Sequence, residues 1–151
     1  MRLTAEAHAQ LERFLRAYLR DEGLRLPWIE LHTGRLAGAL TRVLRVGAIT
    51  FGRHVFVASV WCARGAGGGV CVPAWLVAHE AMHVLQYGRA GAARFLHAYL
   101  LAYARAMWRG RSLSGAAHAL AYKAIEYEVE AFAAEKAYRA WGERAESFTL
   151  R

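Results

Sequence analysis

His79-Glu80-Ala81-Met82-His83 sets two imidazoles four residues apart. On a helix that spacing puts both on one face, one turn apart, which is half the donor set of a zinc site. Glu80 projects into the same space, where a carboxylate can take a proton from a metal-activated water, the general-base arrangement of a metallopeptidase. The surrounding charge sets this glutamate apart. Between Glu30 and Glu126 it is the only carboxylate, although the interval holds eleven Arg and Lys residues. A glutamate serving only a solvated helix face would normally have acidic company. The competing interpretation gives Glu80 an ordinary ion pair and both histidines a packing role.

A catalytic zinc needs three protein ligands and an open position, so two histidines are insufficient. The next carboxylates along the chain are Glu126, Glu128 and Glu130, all on one predicted helix. Any of the three can complete the set.

The elements that must position these groups follow from periodicity and punctuation. Leu11, Phe14, Leu15, Tyr18 and Leu19 fall at helical spacing, predicting a helix over about residues 4 to 22 with Thr4 as cap and Gly23 as stop. Trp28 to His32 alternates as a strand. A short helix from Thr33 carries Leu36, Leu40, Val43 and Leu44. Ala48–Phe51 and His54–Ala58, joined by Gly52-Arg53, predict a hairpin. The glycine-rich segment Cys62 to Val72 is expected to be a flexible surface loop, after which Pro73 opens the motif helix. That helix should bury Leu76, Val77 and Leu85 and stop at Gly88. Further helices are expected from Ala92 to Arg109, and from Ser112 or Ser114 to Trp141. The fold class is α+β, mostly helical with a small β-sheet or hairpin beside the motif helix.

With 151 residues and 56% hydrophobic content, the chain suits one domain spanning 1–151. The net charge of +8 comes mainly from 18 arginines, and a surface of that sign favours anionic partners. Nucleic acid is not expected, because no aromatic-basic motif or recognition helix accompanies the charge. The stretch Met1 to Glu6 lacks the apolar core and cleavage site of a secretory signal, and Phe95 to Met107 is too short to span a bilayer. A cytoplasmic protein without a membrane partner is therefore expected, with non-classical export left open. In that compartment Cys62 and Cys71 should be free thiols.

His79 to Tyr87 resembles the His-Glu-x-x-His-x-x-Gln element of small bacterial zincins, including the metallopeptidase domain associated with extracellular contractile injection systems. Ile29 to Gly34 and Ala48 to Phe56 are similar to that family's strand and its Ala-x-Thr-x-Gly hairpin. Tyr122 to Ala131 is similar to a tail found in small zincins, and Glu128-Val129-Glu130-Ala131 matches the Glu-x-x-Ala of gluzincins. The resemblance covers roughly residues 28 to 135. It implies a zincin-like fold and a Zn2+ site held by His79, His83 and Glu128, with Glu80 as general base for hydrolysis of a peptide or protein substrate. Glu126 stands where the tail often has Pro. Phe132 stands where many gluzincins carry an Asp that holds the first histidine, leaving that role unassigned. Tyr122, Tyr127 and His118 are candidate oxyanion stabilisers, and Phe56 to Val60 is the candidate edge for binding an extended, acidic substrate. The second functional expectation is a catalytically silent zincin-fold metal-binding interaction or docking module.

Overall fold

The computed structural model describes residues 1–65, 68–91, 93–94, 97, 101 and 126–150. Helix α1 (Ala5–Leu19) starts where expected, with the Thr4 side chain accepting a hydrogen bond from the Ala7 N–H. It ends before Gly23: Arg20 takes the left-handed conformation at φ 53°, and the Asp21 N–H closes on the Arg16 carbonyl. The motif helix α3 (Ala74–Ala90) behaves in the opposite way, running through Gly88 and stopping at Gly91, where φ is 77°. Gly inside a helix costs only about 1 kcal/mol, whereas the positive φ at the end is a conformation Gly adopts without a steric penalty.

Strands β1 (Glu30–His32), β2 (Ala48–Phe51) and β3 (His54–Val57) form one sheet in the order β1-β3-β2. The predicted hairpin is β2–β3, with Phe51 opposite His54 and Gly52 at φ 61° in the first turn position. The substrate edge expected over Phe56 to Val60 is not an edge. β3 is the central strand, parallel to β1 and antiparallel to β2, and Ser59–Trp61 is a 3-10 turn. The outer side of β1 is taken by the N-terminal segment, where Met1 and Leu31 exchange hydrogen bonds. Among the described residues, no strand pairs with the other side of β2.

Alternation gives this sheet two faces. Leu31, Ala48, Thr50, Val55 and Val57 are buried on the inner face, while Glu30, His32, Ile49, Phe51, His54 and Phe56 lie on the outer face, half-buried or exposed. Helix α3 packs on β2 and on helix α4 (Glu126–Ala140). Leu76, Val77 and Leu85 are buried as expected. Helix α2 (Arg35–Leu44) reverses its expected orientation: Ala37 and Thr41 are buried, whereas Leu36 and Val43 are 84% and 78% exposed.

The expected loop from Cys62 to Val72 instead contributes β4 (Ala63–Arg64) and β5 (Val70–Pro73), which join β6 (Ser147–Leu150) in a second antiparallel sheet. The strands pass closely here: a Cβ on Gly65 would stand 2.6 Å from the Cys71 Sγ, so a larger residue would require that thiol to shift. Cys71 lies opposite Ala63 rather than Cys62, and both thiols are free. The helix expected over Ala92 to Arg109, the start of the next one, and the candidates Tyr122 and His118 lie almost wholly outside the described residues. Among the described residues no helix is long and apolar enough to cross a membrane.

Candidate metal centre

α3 buries both faces around its motif: His79 and His83 are each 5% exposed and Glu80 is 3%. On α4, Glu128 is 1% exposed, and Ala131, one turn along, is fully buried. A residue without a long side chain at 131 lets the two helices approach. Glu128 then reaches both imidazoles, with Oε2 3.4 Å from His79 Nε2 and Oε1 3.3 Å from His83 Nε2. Of the three candidate carboxylates, the structure therefore brings Glu128 to the histidines. Glu126 is exposed, and Glu130 contacts Gln86 instead.

These donors fit a metal ion. Two imidazole nitrogens and a carboxylate oxygen lie within 4.8 Å of one another, all on buried residues. Ligand atoms bound at about 2.0–2.1 Å around a tetrahedral ion stand about 3.4 Å apart, close to the separations found here. His79, His83 and Glu128 are the residues that would hold the ion.

Further side chains contact the two imidazoles from outside the donor set. His83 Nδ1 meets Gln86 Oε1 at 2.8 Å, and Gln86 Nε2 donates to the Tyr127 carbonyl and to Glu130 Oε2. His79 Nδ1 faces Glu135 Oε2 at 3.4 Å. The other Glu135 oxygen accepts from Arg139, whose guanidinium lies over the Trp75 ring at 4.0 Å. Glu135 is thus the charged neighbour of His79 Nδ1, an atom with no hydrogen-bond partner among the described residues, while Phe132 packs its ring edgewise on His79 at 4.8 Å. Sequence reasoning missed Glu135, although a signal was present: it follows Glu128 by seven residues, two turns along the same helix face. Thr50 was also passed over as a site residue. Its hydroxyl, on the inner face of β2, donates to Glu80 Oε2 at 2.7 Å.

Outer partners of this kind set ligand orientation and basicity, and their loss typically costs about 10–100-fold in metal affinity. Glu135→Gln is therefore expected to weaken binding of a metal ion at this centre by about that factor without unfolding the protein. Competition with a chromophoric chelator measures it, and an unchanged affinity would remove Glu135 from the centre.

Charge is strongly coupled at this centre. Burial opposes the His79 imidazolium, but the Glu128 and Glu135 carboxylates outweigh it and push His79 up to about 9. Burial likewise opposes the Glu128 carboxylate, and the two histidines draw it down to about 2. In chelated protein the raised His79 contributes its stability in full below the unfolded value of 6.5 and loses it as pH rises through about 9. Glu128 contributes in full above the unfolded value of 4.5 and loses it as pH falls through about 2. Metal-free protein is thus expected to be most stable between about pH 4.5 and 6.5. Thermal melts across pH check this, and a Tm that climbs from pH 6.5 to 9 would overturn it.

A family model described as the eCIS core domain matches residues 2–91. The match takes in α3 with its three motif residues and ends before Glu128 and Glu135. No curated protein and no solved structure matches the chain.

Proposed function

The chain belongs to the eCIS core domain family, and we propose that this member is a zinc-dependent peptidase that hydrolyses peptide bonds with Glu80 as general base. The observation that carries this reading is the placement of Glu80. A site that only stabilised the fold would need no acid between its two histidines, yet Glu80 is buried beside the three donors and held through one oxygen by Thr50. A zinc ion held there would supply Lewis acidity, lowering the pKa of a water to about 7 and polarising a carbonyl.

The protein's own part is positioning and proton transfer. Thr50 fixes the Glu80 carboxylate, leaving Oε1 to accept a proton; Gln86 hydrogen-bonds His83, and Glu135 sets its carboxylate 3.4 Å from His79 Nδ1. β2 carries Thr50 and is the outer strand of its sheet among the described residues, so an extended peptide added along Ala48–Phe51 would pass beside Glu80. This replaces the Phe56 to Val60 edge. Acidic substrates are favoured in this reading, since ten other basic residues and Arg35 share the interval between Glu30 and Glu126 with a single acid. The test is cleavage of a library of acidic and basic peptides by the full chain. Activity should require zinc, disappear on chelation and return on zinc addition.

The second reading is a catalytically silent metal-binding interaction module. It is favoured by α2, which turns Leu36 and Val43 outward with Arg35, Arg42 and Arg45 beside them. A library left uncleaved by zinc-loaded protein would select it.

A further inference from the structure

A second set of metal-type donors converges on the outer face of the first sheet. Glu30 and His32 stand two apart on β1 and so share a face, and the parallel register places His54 opposite Glu30. His54 Nδ1 lies 3.2 Å from His32 Nε2 and 3.5 Å from Glu30 Oε2. One ligand atom from each residue falls within 4.8 Å of the other two. We propose that Glu30, His32 and His54 form a second, half-exposed site for a divalent ion of the zinc class, separate from the centre held by α3 and α4.

The donors are held as those of a binding site are held. Arg2 and Arg53 approach Glu30 through Oε1, at 2.9 and 3.6 Å, which leaves Oε2 toward His54. The His32 ring is stacked on Phe56 at 4.6 Å with 17° between planes. Neighbouring backbone positions are pinned on both strands, and the Glu30 N–H donates to the Arg53 carbonyl. Two imidazoles and one carboxylate suit zinc and its borderline neighbours better than the hard cations, which prefer all-oxygen sets. The separations of 3.2 and 3.5 Å also bracket the 3.3 and 3.4 Å of the buried centre.

The two centres differ in exposure and surrounding charge. The His54 side chain is 43% exposed against 6% for those of His79 and His83, so water can complete the coordination at the outer site. The guanidinium groups of Arg2 and Arg53 repel a cation there. The outer ion should therefore bind more weakly and exchange faster. Because the donors sit on the opposite face of the sheet from Thr50 and Glu80, each centre can be emptied without touching the other's donors.

Zinc titration of the full chain by calorimetry and equilibrium dialysis tests this. Wild type is expected to bind two equivalents, one tight and one weaker. His54→Ala and Glu30→Gln should each abolish the weaker phase and leave the tight one. Glu128→Gln should weaken the tight phase and leave the weaker. In NMR spectra of the imidazole nitrogens, the His32 and His54 signals should move with the second equivalent only. A single equivalent in wild type, two equivalents in both outer-site variants, or rings of His32 and His54 that zinc does not move would overturn the proposal. In that case their 3.2 Å contact is a plain hydrogen bond between imidazoles.

Discussion

Glu128→Ala is expected to empty the buried centre. Glu128 contacts both histidines through different oxygens, at 3.4 and 3.3 Å, and its removal leaves two imidazoles with no carboxylate between them. Losing a direct ligand should cost more than the roughly 10–100-fold associated with an outer partner such as Glu135. The same change should destabilise metal-free protein. Truncation opens a cavity at a side chain only 1% exposed and breaks a buried ion pair, an effect of about 3–5 kcal/mol. Glu128→Gln isolates the loss of charge, because it keeps the volume and opens no cavity: metal affinity should fall with a smaller loss of stability than in Glu128→Ala. Glu126→Ala, at an exposed position on the same helix, should leave metal content and Tm near wild type. Metal analysis after dialysis, together with thermal melts, decides. Wild-type zinc retention by Glu128→Ala would mean that another group closes the site.

Glu80→Gln is expected to cut the proposed peptide hydrolysis by orders of magnitude while sparing metal and fold. The amide has nearly the shape of the carboxylate, and its carbonyl oxygen can still accept the Thr50 hydroxyl that now bonds Oε2. What it cannot do is take up a proton. General-base catalysis contributes about 10²–10⁴-fold, so kcat should fall by that factor. Zinc affinity should change little, since none of the three donors belongs to Glu80. Equal turnover by mutant and wild type on any cleaved peptide would sink the general-base role. Loss of zinc along with activity would mean that Glu80 supports the ligands instead, leaving the metal centre standing without the chemistry assigned to it.

Much of this site was legible before the structure. The five residues from His79 to His83, their helix starting after Pro73, the Thr4 cap and the two-residue turn at Gly52 all follow from relations spanning a few residues. Local backbone geometry enforces these wherever the segment ends up. Glu128 was singled out only by resemblance, as one of three glutamates on a helix whose rotation relative to α3 no local rule sets. Glu135 was overlooked for a related reason: a spacing of seven marks a shared helix face without saying what that face meets.

The sequence by itself determined the motif, the helix that bears it, the hairpin beside it and an α+β class. Only the tertiary structure decided that β3 is central and that β2 is the outer strand among the described residues, that β5 pairs with a strand nearly eighty residues away, and that α2 presents Leu36 and Val43 outward. It also decided which glutamate reaches the histidines, and that Glu30, His32 and His54 meet. The physical reason is that periodicity reports which residues share a face, whereas the partner for that face is chosen by long-range pairing, where the burial gained must outweigh the entropy of closing the intervening chain.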